Sequence, residues 1–367
     1  MENMAAEEGK VPRPGQEGEL TKGRGAQYNP TNPYLKKEYV VEHLEGLDEP
    51  WEQKAATQFF REYPKSIVNE VNSPDLGLMY SMNPYQGCEH GCVYCYARNT
   101  HAYWGLGAGL DFEQKVIVKE NAPALLRTQL ESPTWEVRPI MLAGNTDCYQ
   151  PVEAKEKITR RLLEVLLQYR HPVSMITKNA LILRDLDLLT QLHQHRLLHV
   201  NISITTLQEE LRQKLEPRTS TGTKRLQVVR QLAEAGIPVN VMVAPVIAGL
   251  NDHEIPAILE ASAAAGALSA AYTIVRLNGA IGEIFEDWVQ KAYPNKAAKV
   301  LDQIKACHGG SLNDSTFGRR MSGEGRWAET IKALFKISLH KHFKGRAMPP
   351  YDLTAFTPRA GKQLTMF

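Results

Sequence analysis

The chain has 367 residues, 43% hydrophobic and 23% charged, which excludes fibrous, collagen-like and wholly disordered proteins and leaves room for one α/β barrel with additions. No window approaches the roughly 20 apolar residues of a membrane span, residues 1–20 are polar and unlike a signal peptide, and five cysteines do not make a secreted disulfide framework. No membrane association, reduced thiols and a cytoplasmic address are therefore expected. The net charge of +2 hides an asymmetry, since residues 301–367 carry eleven Lys/Arg against five Asp/Glu and form a basic tail.

Residues 1–32 are rich in Gly, Pro, Glu and Lys with little apolar periodicity, which predicts a mobile arm; an arm domain is expected over 1–75. Within it, 51–63 (WEQKAATQFFREY) has a helix-like apolar rhythm, and extended chain leads from there to the first cysteine. A first strand is expected at 78–82. Short β-branched runs then recur at 139–143, 173–177, 199–205, 239–246 and 272–277. Between them, 153–169, 185–194, 223–235 and 253–265 have helical periodicity.

Six β/α units with right-handed crossovers predict an α/β fold, a partial (β/α)6 TIM-like barrel over 76–280, open on one side because closure needs eight strands. A doubly wound sheet has nearly the same signature. Over 281–367 the rhythm breaks into helices at 283–291, 296–307 and 326–343, read as an extension closing the barrel. Pro349-Pro350 stops the last helix, and the chain beyond is expected to run irregularly over the surface.

The segment YQGCEHGCVYCYAR places Cys88, Cys92 and Cys95 in a C-x3-C-x2-C arrangement after the first strand. Structural zinc takes four closed ligands and an electron-transfer [4Fe-4S] cluster takes four cysteines, so three cysteines leave one iron of a cubane open for chemistry. Gly87 and Gly91 allow the tight turns. His90 completes a Cys3His zinc site on paper, but its place inside the first spacer makes that awkward.

At these residues the chain resembles the radical SAM superfamily, with Tyr94 as the aromatic of its cysteine loop, and GCEHGCVYCYAR resembles its spore photoproduct lyase-like branch, related to DNA repair photolyases. The resemblance covers about residues 78–279. It implies a [4Fe-4S] cluster on the three cysteines and S-adenosylmethionine on the open iron, cleaved by one electron to a 5′-deoxyadenosyl radical. It also implies a flavodoxin or ferredoxin-type reductant.

Further expectations follow from that resemblance. Asn145 and Asp147, after the second strand, would meet the methionine amine; Asn201, Ser203 and Thr205, on one face of the fourth, would meet ribose and methionine. Glu216, Arg218 and Arg225 follow, and Arg225 is the choice for gripping the cofactor carboxylate. The PVIAGLND stretch resembles an adenine-contacting loop. Lesion-reversing lyases also return a hydrogen atom from a cysteine outside the loop, which makes Cys148 the candidate here, although a small buried hydrophobe is the ordinary role of such a cysteine.

For the substrate, the branch, the basic tail and a terminal Gln363, Leu364, Met366 and Phe367 pattern, similar to sliding-clamp docking motifs, lean toward DNA or RNA. Radical modification of RNA or a peptide, and a non-catalytic iron-sulfur or zinc protein that binds nucleic acid, are the rival readings.

Overall fold

The computed structural model describes residues 20–34, 56–77 and 80–358. Among the described residues ten strands form in chain order: β1 (Gln58–Glu62), β2 (Val68–Glu70), β3 (Tyr80–Met82), β4 (Tyr85–Gln86), β5 (Lys115–Lys119), β6 (Ile140–Leu142), β7 (Val173–Thr177), β8 (Leu198–Ser203), β9 (Val239–Val246) and β10 (Ser269–Ile274). The main sheet has the order β10-β9-β8-β7-β6-β3-β2, with β3 to β10 parallel and β2 antiparallel on the edge. Neighbours in space are neighbours among the crossover strands in sequence. That is the partial barrel expected, not a doubly wound sheet whose order reverses.

Alternation along the strands separates two faces. In β9, Val239, Val241 and Val243 are buried while Asn240, Met242 and Ala244 are half-buried. The buried set packs against the crossover helices, including Ile158–Gln168, Leu186–Gln194, Gly222–Glu234 and Ile255–Ala264. The half-buried set continues in register across the sheet, Ile176 beside Asn201 and Asn201 beside Asn240, and lines the concave side.

The helix expected over 153–169 is broken at Lys157, whose φ is +52°. Glu153 explains the break: its carboxylate accepts from the Thr159 N–H at 3.1 Å and so caps the helix that starts at Ile158.

Two expectations for the amino-terminal region are corrected. Over 51–63 the described part contains β1, which pairs in parallel with β5 in a small sheet β1-β5-β4; residues 51–55 lie outside the described residues. Phe59 and Phe60 are both 46% exposed, so the apolar rhythm did not serve helix burial, and backbone pairing with Lys115–Lys119 decided the conformation. Within the expected mobile arm, residues 20–34 are packed against the cysteine loop: Ala26 is buried, and Asn32 donates to Ala102 O at 3.1 Å.

Helices Ala280–Ala292, Ala297–Cys307 and Gly325–Phe343 make the carboxyl-terminal extension. The loop 308–324 between the last two runs along β10, with Ile274 N–H on Met321 O at 2.9 Å, and reaches the opposite edge, where Arg320 donates to Asp75 at 2.5 Å and to Ser73. Asp75 lies between β2 and β3. The extension thus bridges the two edges that six strands leave apart.

Residues 346–358 cross the amino ends of the strands. Arg346 donates to Ala263 O and Ala267 O, the Tyr351 ring lies 3.9 Å from that of His199, and Thr357 N–H reaches Tyr169 O. The sliding-clamp pattern at 363–367 lies outside the described residues. No helix among the described residues is long and apolar enough to cross a membrane.

This strap covers a buried histidine. His171 Nδ1 donates to Pro172 O at 2.9 Å, its Nε2 accepts from Trp135 at 3.1 Å, and Phe356 meets its ring edge-on. Burial draws its pKa down to about 4, against about 6.5 in an unfolded chain. The unfolded chain therefore binds the extra proton between those values, so this stability is full above about pH 6.5 and is lost as pH falls toward 4. The thermal midpoint is expected to fall across that window less steeply in His171→Leu than in the parent, whatever its absolute stability; equal slopes would refute the assignment.

Candidate active site

The cysteine loop leaves β4 through Gly87 (φ +82°) and turns again at Gly91 (φ +69°). A Cβ on Gly91 would fall 2.9 Å from a Glu113 carboxylate oxygen, so both the turn and the close approach require glycine. From one side Gln150 holds the loop, accepting from Glu89 N–H at 2.9 Å and donating to Gly87 O at 3.1 Å. From the other side Arg98 donates to Cys92 O through Nε and Nη2 at 3.0 and 2.9 Å and to Glu113 at 2.6 Å. Glu113 in turn accepts from the Ala26 and Gly25 N–H groups at 2.8 and 3.2 Å.

Cys88 and Cys92 are buried and Cys95 is partly so. Burial pushes all three thiols up; Asp147, Cys92 and Cys95 push Cys88 further, and Glu216 does the same to Cys92. Thiolates so placed want a cationic centre among them. Among the described residues no three His, Cys, Asp or Glu side chains gather as ligands of a single ion. Three buried or partly buried thiols on one loop are, by their chemistry, a donor set that would hold three irons of a cubane and leave its fourth open.

The Cys3His zinc alternative does not fit. His90 Nδ1 lies 3.3 Å from Asp147 and its Nε2 lies 3.2 Å from Asn179 Nδ2, so both ring nitrogens are engaged.

The other expected residues gather at the carboxyl ends of the strands in two knots. Thr205 donates to Glu216 at 2.6 Å, Tyr94 donates to the same carboxylate, and Arg225 pairs with it at 2.5 Å. The carboxyl is buried, which opposes its charge, but the Arg225 guanidinium and then Lys178 hold it well below the usual carboxylate range. In the second knot Asn145 N–H is held by Asn83, and Asp147 accepts from Thr177 Oγ1 at 2.7 Å and from Lys178 N–H at 2.8 Å. Despite burial, His90 leads the groups that hold the Asp147 carboxyl down.

The role expected of Arg225 is corrected. Its Nε donates to Ser220 O, Nη1 to Ser203 O, and Nη2 to Glu216 and Thr219, and it is buried. A bidentate grip on a cofactor carboxylate would need donors already spent. Ser203 meets this knot through its carbonyl. Arg218 lies apart, its N–H on His90 O.

A family model for the radical SAM superfamily matches residues 82–261, the stretch from the end of β3 into the helix Ile255–Ala264 after β9. An uncharacterized protein of Mycobacterium tuberculosis (strain ATCC 25618 / H37Rv) is 34% identical over 238 residues, 64% of this chain and 70% of the relative. The chain belongs to the radical SAM superfamily. Its cofactors are accordingly a [4Fe-4S] cluster and S-adenosylmethionine, and it is an enzyme. A second uncharacterized relative, from Methanocaldococcus jannaschii, is 30% identical over 190 residues, 52% of this chain and 68% of its own. In fold the chain is similar to spore photoproduct lyase: a mutant with bound AdoMet and dinucleoside spore photoproduct matches with a TM-score of 0.58 and 16% identity, covering 83% of this chain and 86% of that one.

Within this radical SAM fold, Cys148 is corrected as a candidate: it has no exposure and belongs to the main hydrophobic cluster, as a small apolar residue would. Cys307 is equally buried. All five cysteines of the sequence are thereby placed, and none outside the cluster loop opens on the mouth. Asn201 is also displaced from its expected role, since its amide donates to Ser174 and Met175 O and accepts from Asn240, in a polar layer below the strand ends.

Lys178 was missed from sequence. It follows β7 directly, and its Nζ lies 3.3 Å from Ala244 O and 3.5 Å from both Thr205 Oγ1 and Glu216. A charged residue at the carboxyl end of a parallel strand was the available signal. Glu113 carried none, because its partner Arg98 and the Gly25 backbone are far from it in sequence.

Proposed function

We propose that this radical SAM enzyme acts on a nucleic acid, altering one nucleotide in a repair-like or modifying reaction. The likeness to a spore photoproduct lyase with bound AdoMet and a dinucleoside, over about four fifths of both chains, carries the reading. The basic tail of the sequence agrees with it. Cys88, Cys92 and Cys95 would hold three irons and leave the fourth to the amine and carboxylate of S-adenosylmethionine. When bound, the cluster and S-adenosylmethionine would supply a 5′-deoxyadenosyl radical on receipt of one electron from a flavodoxin or ferredoxin-type donor in the cytoplasm, the sulfonium C–S bond being the one broken.

The chain's own side chains prepare that event. The Lys178 ammonium, 3.5 Å from Glu216 and from Thr205 Oγ1, adds its charge to that of Arg225 at the strand ends. Asp147 holds its backbone N–H and thereby aims it, while Glu216, neutralised by Arg225, keeps Thr205 and Tyr94 in place at the end of β8. Asn145 and Ser203 line the same strand ends for the methionine and ribose. With no thiol of this chain open to the mouth, a hydrogen atom returned to a product radical would come from 5′-deoxyadenosine or another group and not from a cysteine.

The test is anaerobic turnover of the iron-loaded protein with dithionite and S-adenosylmethionine on ultraviolet-irradiated DNA, on RNA and on peptides. A change in the nucleotides released on digestion of the irradiated DNA or the RNA, dependent on S-adenosylmethionine and on the loaded cluster, is expected. Turnover of a peptide alone, or 5′-deoxyadenosine formed with every nucleic acid unchanged, would overturn the reading.

A further inference from the structure

We propose that Arg276 and Arg320, beyond the end of β10, form a phosphodiester-binding site at the barrel mouth; this rests on the nucleic-acid reading above. The strand continues past Ile274, with Val275 N–H on Val246 O, and brings Arg276 to the mouth. Arg276 is half-buried, and among the described residues no carboxylate lies within ion-pair distance of it. Its Nη1 meets only Met321 Sδ at 3.3 Å, and its Nε is buried without a hydrogen-bond partner. Two residues on, Asn278 Oδ1 is a buried acceptor without a donor.

A half-buried guanidinium with a buried N–H unpaired, and an unfilled acceptor two residues on, are costly unless a ligand completes them. The adjacent Arg320 deepens the need. It is paired with Asp75 at 2.5 Å, so Asp75, like Asp314, acts on Arg276 only at longer range. Burial, then the repulsion of Arg320, draw the Arg276 pKa below its ordinary value.

The surroundings favour a phosphodiester over a peptide carboxylate. The Arg320 guanidinium lies 4.4 Å over the ring of Phe317, which is 54% exposed, and Tyr96 on the facing turn is 56% exposed. Further along that turn Tyr103 stacks on Tyr34 at 5.0 Å, both exposed. Open aromatic faces beside arginines are the platform on which unpaired bases stack. Asn99 donates to Asn278 O at 2.8 Å, tying this strand end to the turn that follows Cys95. A strand held here would present a nucleotide beside the cluster loop, with Asn278 Oδ1 open to an N–H or O–H of sugar or base.

The experiment measures binding of a fluorescein-labelled single-stranded oligonucleotide to the iron-loaded full chain by anisotropy, for the parent, Arg276→Gln and Arg276→Lys, with iron content and thermal midpoint as folding controls. Arg276→Gln is expected to bind about tenfold more weakly, with a salt dependence shallower by roughly 0.7 in the log–log slope. In the parent, one neutral methylphosphonate linkage should reproduce the loss, and in Arg276→Gln it should add nothing. Undiminished affinity and slope in both variants would overturn the site alone. Competition by polyglutamate but not by unlabelled oligonucleotide would overturn the phosphodiester assignment. A parent that binds no oligonucleotide would overturn the nucleic-acid reading and the site together.

Discussion

Cys92→Ala is expected to abolish formation of 5′-deoxyadenosine from S-adenosylmethionine, with the protein still folded. Two thiols cannot hold a cubane, and the loop does not need the Cys92 side chain to keep its path. Its backbone is gripped at the Cys92 carbonyl by two donors of Arg98, at Val93 N–H by Leu215 O, and at Cys88 N–H by Phe112 O. Iron content should therefore collapse while the thermal midpoint of the iron-free form stays near that of the iron-free parent. Iron per chain, the electron paramagnetic resonance signal of the reduced protein and 5′-deoxyadenosine by chromatography are the readouts. A variant that retains four irons and full product would remove Cys92 from the site, and tight stoichiometric zinc in the parent with no iron uptake would return the Cys3His alternative.

Glu113→Ala is expected to cost about 3–5 kcal/mol of stability, the usual penalty for removing one partner of a buried ion pair. Arg98 and Glu113 have no exposed side-chain surface, and the carboxylate also receives the Gly25 and Ala26 N–H groups. Deleting it strands a buried guanidinium beside the cluster loop and two backbone donors of the amino-terminal segment. Gly25→Ala separates the two consequences, because its new Cβ would fall 1.7 Å from Gly91 O and would displace the segment while leaving the ion pair. In urea the midpoint should drop far in Glu113→Ala and only modestly in Gly25→Ala, and both should speed proteolysis within 20–34. A loss under 1 kcal/mol in Glu113→Ala would mean that the pair does not fasten the loop.

The cluster ligands and the order of the crossover strands were legible in the sequence because both are local signals. Cys88, Cys92 and Cys95 lie within eight residues, and the main-sheet strands from β6 to β10 fall in or overlap short apolar, β-branched runs, whereas the edge strand β2 was read only as extended chain. Parallel pairing in chain order then follows from the handedness of the crossovers. Thr205, Glu216 and Tyr94 were legible as site residues from family resemblance, yet their mutual arrangement was not.

Tertiary structure alone decided the rest, since each remaining feature joins residues far apart in the chain. The rhythm of 51–63 resembled a helix, but β5 offered its residues 58–62 a ladder of backbone hydrogen bonds, and residues 20–34 lacked apolar periodicity yet were ordered by the Glu113 carboxylate, some 90 residues away. Arg225 had the right charge and position for a carboxylate grip, but Glu216 consumed it and also drew in Lys178, unremarkable in sequence, at 3.5 Å. Cys148 followed Asp147 directly, yet the alternation of a chain turning into a helix put one residue on the site and the next in the core. Local pattern determines which residues can do chemistry, and the competition of buried charges for partners determines which of them are free to do it.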